Sequence, residues 1–422
     1  MVLTQGQEEA LANVKGLAKD FPKGGGIAVI AGYAGTGKTT LVRSLEEEYG
    51  ENMLVVTPTG KAAVRVREAA GCPAKTIHSW LYEVAEDEET GALSFQRRNT
   101  GLIERPECGF LVVDEASMVG FKVFADVYQA CKNLELNLVL IGDGFQLPPV
   151  EMDSKKKDFS VFAPDFPAHS KVTLTEIHRQ ALDSPIIRAS MDVRLGQWAT
   201  EALSSLPVVK DSDLLERAKY FYEQEGATIC HRNATRHALN AGVRSKLGLP
   251  SDQISKGEPL LVVQNTYQLE IFNGEIVPIL TQPRAVNVAP IAVRDNQNNA
   301  SKYMNFLEVD IDCPLQGEQA AIVVDAEVFG TNGEVGSYAI KRAVWNFKTT
   351  KYGVANKIPQ GPAYVPANFG YVLTCHKSQG SEFNAGIVVV EESLRPNSPE
   401  GRRWAYTAIT RFKKQIEICW RI

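Results

Sequence analysis

Gly32-Tyr33-Ala34-Gly35-Thr36-Gly37-Lys38-Thr39 has the spacing of a loop that cradles the phosphates of a nucleoside triphosphate. Gly35 and Gly37, with Thr36 between them, let the backbone turn its N–H groups toward an anion, and Lys38 reaches the β and γ phosphates. Thr39 supplies a hydroxyl oxygen to Mg2+, and Thr40 follows it into the helix whose N-terminus favours negative charge. Asp114 and Glu115 leave an apolar run as adjacent acids. Two carboxylates there cost desolvation unless they have work to do. Asp114 suits holding Mg2+ through water, and Glu115 suits polarising an attacking water. The competing reading is a surface Asp-Glu pair. Gln146, after LVLIGDGF, is either a sensor of the γ-phosphate or a turn residue. Together these residues predict ATP with Mg2+.

Such chemistry needs a parallel sheet whose strand ends meet along one edge. The apolar runs IAVIA (27–31), MLVVT (53–57), FLVVD (110–114), LVLIG (138–142) and KVTL (171–174) predict one, with helices between them. The polar stretch 83–107 breaks the rhythm and reads as an insertion in which GALSF turns into a hairpin. From Ser184 a second α/β rhythm begins. SPIIRASMDVRLGQW is a helix after Pro185, ATICH a strand, and NATRHALNAGVRSKLG a helix ending at glycine. Residues 276–368 change pattern again: EIVPIL, FLEVDID, QAAIVVD and SYAIKRAVWNF read as strands of an inserted β module. YVLTCHKSQG, AGIVVVEE, a helix at RRWAYTAITR and QIEICW restore the α/β pattern.

The chain has 422 residues, 44% apolar and 23% charged, which predicts more than one folded domain. A net charge of −5 is unlike a cationic DNA-coating protein, yet leaves room for a local basic channel. Seven cysteines without a CxxC pair and six scattered histidines argue against structural zinc and fit a reducing compartment. MVLTQGQEEALANV reads as a polar helix rather than a signal peptide, and no apolar run is long enough to span a bilayer.

LTQGQEEAL, VTPTGKAA, TIHSWL, VVDEASM, IGDGFQLPPV, LTEIHRQ, TCHKSQGSEF and YTAITRFKK occur in this order along nearly the whole chain. This set resembles superfamily 1 helicases of the 5′-to-3′, RecD-like branch, and within it the Dda type of T-even bacteriophages. The resemblance implies an α/β fold of two RecA-like P-loop domains, with a small hairpin inserted in the first and an SH3-like β module in the second. Residues 1–180 would form domain one, with the insertion at 83–107 as strand-separation hairpin. Residues 181–275 and 369–422 would form domain two around the module at 276–368. The resemblance makes Gln7 the reader of adenine, Arg179 and Arg411 two arginine fingers, and Glu382 a contact to the ribose or a link to DNA. For either arginine alone, a solvated surface role is the competing reading.

The same likeness lays Thr57, Thr59, His78, Thr374, His376, Lys377 and Ser378 along a track for single-stranded nucleic acid. Hydroxyls, amides and a lysine suit backbone contacts that carry no sequence information. His78 reads equally as a core histidine. Asn233 and Asn240 share a face of one helix, with capping by Asn233 as the plain alternative. Phe95 is placed to stack on a base at the fork or to pack on its own domain. Trp345, Phe347 and Tyr352 would brace the hairpin or extend the channel, or fill the module's own core. The implied activity is ATP-driven 5′-to-3′ DNA unwinding and single-strand translocation, on duplexes with a 5′ single-stranded tail. An RNA-directed motor, a P-loop phosphotransferase and a scaffold with a relic nucleotide site are the alternatives. A monomer in the cytoplasm of a bacterial or phage-infected cell, a replication and recombination role, and single-strand-binding or replication proteins as partners are also implied.

Overall fold

The structure is a computed structural model that describes residues 3–86, 93–104, 109–149, 159–177, 183–251, 253–286, 291–295, 300–314, 316–324, 338–355 and 358–421. Strands β1 (Ile27–Gly32), β2 (Met53–Thr57), β3 (Ala74–Thr76), β6 (Phe110–Val113), β7 (Asn137–Gly142) and β8 (Ser170–Leu174) form a parallel sheet in the order β3-β2-β6-β7-β1-β8. The near-continuous apolar runs follow from helices on both faces. Ala28, Ile30, Val55, Val112 and Ile141 point to a core shared with helices α1 (Gln5–Asp20), α2 (Lys38–Tyr49) and α3 (Gly60–Ala70). Their neighbours Val29, Val56, Leu111 and Leu140 point the other way, toward α4 (Ile77–Leu81) and α5 (Phe121–Asn133). Because all six strands run parallel, the loops after β1, β6 and β7 emerge along one edge.

Strands β4 (Tyr82–Glu86) and β5 (Leu93–Arg97) pair antiparallel, from Tyr82 opposite Arg97 to Glu86 opposite Leu93. This is the hairpin expected within 83–107, and residues 87–92 lie outside the described residues.

The second domain carries β9 (Val208–Val209) and β10 (Ala227–Cys230) before an excursion of mainly antiparallel strands. The excursion comprises β11 (Pro259–Val262), β12 (Ile276–Pro278), β13 (Arg284–Ala285), β14 (Ile291–Asp295), β15 (Ala300–Met304), β16 (Phe306–Cys313), β17 (Gly317–Val324), β18 (Val354–Ala355), β19 (Ile358–Pro359), β20 (Ala363–Tyr364) and β21 (Ala367–Phe369). The chain returns through β22 (Val372–Thr374), β23 (Phe383–Glu391) and β24 (Phe412–Arg421) to a second parallel sheet, ordered β22-β10-β23-β24-β9.

Two expectations need correction. The β excursion begins before residue 276, because β11 pairs antiparallel with β12 and β21 rather than joining the parallel sheet. SYAIKRAVWNF is not a strand: Tyr338–Tyr352 is a helix. Its Ile340, Val344 and Phe347 are four and three residues apart, the period of one helical face. Val344 and Phe347 are buried in the same core as Val309 and Ile322 of the β strands. The Phe347 and Tyr352 rings meet edge to face at 5.9 Å, and the Tyr352 hydroxyl donates to Glu308 at 3.2 Å. These two aromatics brace the module itself, while Trp345 is half-buried. Among the described residues, no helix is long and apolar enough to cross a membrane.

Candidate functional site

The phosphate loop connects β1 to α2. Gly35 and Gly37 have φ of 80° and 76°, a conformation open to glycine without strain. A Cβ on Gly32 would sit 2.8 Å from the Thr36 hydroxyl oxygen and 3.0 Å from Lys38 Cγ, so only glycine lets the loop close over this strand end. Helix α2 starts at Gly37 with no side-chain cap, which leaves its first N–H groups for an anion. Thr39 and Thr40 stand half-buried in its first turn. Lys38 Nζ donates to the carbonyls of Gly32 and Tyr33, both at 2.9 Å, so its ammonium rests on the loop itself.

Gln7 is fully buried beneath this loop. Its amide nitrogen donates to the carbonyls of Thr36 at 3.3 Å and Gly37 at 3.0 Å, and its amide oxygen accepts from Thr4 N–H at 2.9 Å in the capping box of α1. In this arrangement Gln7 braces the loop from below.

Asp114 and Glu115 follow β6 and are both buried, and Glu115 takes the left-handed conformation at φ 55°. A non-glycine residue held there carries about 1–3 kcal/mol of strain, the kind of cost found where geometry serves chemistry. Burial and the neighbouring Glu115 charge push the Asp114 carboxyl upward. Burial acts upward on Glu115 too, but Arg65, Arg411 and Lys38 outweigh it and bring its pKa down to about 2. One oxygen of each acid, Asp114 Oδ2 and Glu115 Oε2, and the amide oxygen of Gln146 are buried without a hydrogen-bond partner. Carboxylate and amide oxygens without a hydrogen bond beside an uncapped phosphate loop suit Mg2+, which takes one or two protein oxygens plus phosphate and water. The residues present therefore fit the group. Among the described residues there is no gathering of three or more His, Cys, Asp or Glu that would hold a metal alone.

The second domain closes the site. Arg411 lies in the turn between helix Pro399–Ile409 and β24 and is buried. It donates to the carbonyls of Thr407 at 3.1 Å and Ser381 at 3.4 Å, and its charge acts on Glu115 of the first domain. Glu382 pairs with Lys413 at 2.7 Å and with Arg65 of α3 at 3.4 Å. The loop after β7 is tied to the same helix. Tyr406 Oη accepts from the Ala34 N–H of the phosphate loop at 3.1 Å and donates to buried Asp143. Thr407 accepts from Leu147 N–H at 2.9 Å, and Gln379 donates to the Leu147 carbonyl at 2.9 Å. The segment carrying Gln146 is thus docked on domain two. Arg179 lies outside the described residues.

Along the expected track the structure sorts the residues. The Thr57 hydroxyl is fully buried and donates to the Thr59 carbonyl at 2.8 Å; the Ser378 hydroxyl is fully buried and donates to the Cys375 carbonyl at 2.8 Å. Both hydroxyls shape their loops. Thr374 is buried at the end of β22. Thr59 is half-buried and caps α3 through Ala62 N–H. His78 is half-buried 5.2 Å from the Tyr82 ring, and burial lowers its pKa. His376 is exposed, and Lys377 donates to Asn273. Asn233 is exposed and does not cap its helix; Asn240 is buried and staples that helix to the backbone of Val372. The two asparagines therefore do not share a surface. The Phe95 side chain lies outside the described residues.

Two arginines escaped the motif reading. Arg65 on α3 lies 2.5 Å from Glu115 Oε1 and 3.6 Å from Asp114 Oδ2. Arg236, on helix Asn233–Lys246, is buried with Nε and Nη1 unpartnered; Nη2 is 3.0 Å from His237 Nε2. Burial, then the Arg236 charge, lowers the Lys377 ammonium to about 8, so these cations crowd one another. The helical period could have found Arg236, since it shares the buried face of Leu239 and Val243.

The family model described as AAA domain matches residues 2–216, half of the chain, and the model of the UvrD-like helicase C-terminal domain matches residues 369–416. The chain is 24% identical over 410 residues to the ATP-dependent RecD2 DNA helicase of Deinococcus radiodurans, covering 92% of this chain and 46% of that protein. It is 26% identical over 458 residues to the RecBCD enzyme subunit RecD of Haemophilus influenzae, covering 93% of this chain and 66% of that one. The chain thus spans less than two thirds of either relative. Bacteroides Pif1 bound to single-stranded DNA shares the fold, with a TM-score of 0.55 at 19% identity, over 99% of this chain and 92% of that one. The chain belongs to the AAA domain family, its C-terminal part matches the UvrD-like helicase model, and its sequence is similar to RecD-type helicases.

Proposed function

We propose that this chain is an ATP-dependent DNA helicase and single-strand translocase that moves 5′ to 3′ and opens duplexes from a 5′ single-stranded tail. The observation that carries this reading is the division of one hydrolytic set between two parallel-sheet domains. Lys38, Asp114 and Glu115 belong to the first, and Arg411, whose charge acts on Glu115, belongs to the second. Hydrolysis in such a site depends on how the domains sit against each other, which turns phosphate chemistry into relative motion.

Glu115 is placed to polarise the attacking water, and Arg411 to meet charge that develops on the transferred phosphoryl group. When bound, Mg2+ held by Thr39 and Asp114 would supply charge neutralisation at the phosphates. Gln146, with its free amide oxygen, sits on the segment docked to domain two through Leu147. On the nucleic-acid side, Thr59 and His78 of the first domain and His376, Lys377 and buried Arg236 of the second offer backbone contacts. Arg236 and Lys377 form a cationic cluster, and a phosphodiester is the anion that such a pair would take.

The polarity and the likeness to the Dda type rest on the motif set. Phe95 on the hairpin is proposed for the strand-separation step, and Arg179 for a second arginine finger. A cytoplasmic site of action, a monomeric motor and replication or recombination partners belong to the same reading. Turnover should rise steeply with single-stranded DNA and release only free phosphate. Stimulation by RNA of equal length and sequence to the same degree would make the motor RNA-directed, and phosphate delivered to a second substrate would make it a phosphotransferase.

A further inference from the structure

Arg65 stands between the chemistry and the seam that joins the two domains. Its guanidinium meets three carboxylates: Glu115 at 2.5 Å, Asp114 at 3.6 Å and Glu382 of domain two at 3.4 Å. Its Nε is buried without a partner, so the fork is committed to these acids rather than to neighbouring carbonyls. The acids that fit Mg2+ thus already hold a resident cation, and Asp114 cannot give the same oxygen fully to both.

Six residues before Arg65, the same helix begins at Thr59 on the nucleic-acid side, a rise of about 9 Å along a rigid element. That first turn is tightly packed against domain two. A Cβ on Gly60 would lie 2.3 Å from the Phe272 ring and 2.3 Å from Glu275 Oε1, and one on Gly380 would lie 2.6 Å from the Thr59 hydroxyl oxygen. Thr59 and Lys377, the contacts proposed above, flank this seam, so a nucleic-acid backbone held by both would bear on it and shift it. The Arg65–Glu382 bridge spans the same seam, so the shift reaches the guanidinium directly.

We propose that Arg65 is an internal counter-ion that occupies Asp114 and Glu115 when no nucleic acid is bound, and that seam movement on nucleic-acid binding releases it from them. It acts as a brake on futile hydrolysis. The inference rests on the motor reading above and adds to it a means by which the nucleic acid licenses the acids.

The test compares wild type, Arg65→Ala and Arg65→Lys, each checked for an unchanged melting temperature. The readouts are Mg2+-dependent affinity for a fluorescent ADP analogue without nucleic acid, and ATP turnover with and without single-stranded DNA. Arg65→Ala should raise unstimulated turnover about tenfold and tighten the ADP analogue severalfold, while DNA-stimulated turnover changes little. Lysine, a point charge that cannot bridge three carboxylates, should give a smaller effect of the same sign, and it carries the test should the alanine variant fail to fold. Unstimulated turnover that stays level or falls, with unaltered ADP affinity, overturns the brake. A fall in stimulated turnover alone would make Arg65 a phosphate ligand and overturns it too. A wild type that DNA does not stimulate would instead sink the motor reading itself.

Discussion

Lys38→Ala is expected to reduce ATP hydrolysis to near background while the protein stays folded. The ammonium rests on the carbonyls of its own loop and belongs to no buried apolar cluster, so its loss removes charge rather than packing. In the proposed mechanism it is the cation that reaches the β and γ phosphates, where the charge to be stabilised is largest. Melting temperature and DNA affinity measured beside turnover separate the two effects. Near-normal DNA-stimulated turnover in the pure variant would remove the nucleotide from this loop.

Arg411→Ala should separate turnover from binding. Arg411 belongs to the second domain, yet its charge acts on Glu115, where the attacking water would be polarised. An arginine so placed meets charge that develops only during transfer, and fingers of this kind are worth roughly 10³–10⁵ in turnover. Nucleotide affinity should move by only about a fewfold, because uniform binding is not what is lost. Arg411 also donates to the Thr407 and Ser381 carbonyls, so truncation carries a cost in stability. Arg411→Lys retains the charge but not the fork, and it provides a better-folded second reading of the same loss. Losses in affinity and turnover of equal size would assign Arg411 to ground-state binding.

The phosphate loop and the Asp114–Glu115 pair were legible because their signals are local: a buried strand, a glycine spacing, a polar strand end. The two parallel sheets followed from apolar runs that no antiparallel surface sheet would carry. What escaped depends on distant parts of the chain. Arg65 reads as one more helix cation until β6 and the loop before β23 converge on it. Gln7 carries no sign in the sequence that its amide will be spent on the loop beneath which it lies. The hydroxyls of Thr57 and Ser378 look suited to phosphate, but short loops turned them onto their own carbonyls. Tyr338–Tyr352 satisfies strand alternation loosely, with alanine and valine between polar residues, but its helical period is the better match.

In the proposed mechanism the motor advances 5′ to 3′ and meets the duplex with the hairpin of β4 and β5. Separating each pair costs about 1.4 kcal/mol of stacking per step on average, which ATP turnover on the tracking strand must offset. The most direct measurement is ATP-driven unwinding of one duplex carrying either a 5′ or a 3′ single-stranded tail, with Lys38→Ala as the inactive control. Strand separation is expected from the 5′ tail alone, dependent on Lys38. Efficient unwinding from the 3′ tail alone would contradict the polarity, and no unwinding from either tail would contradict the helicase assignment.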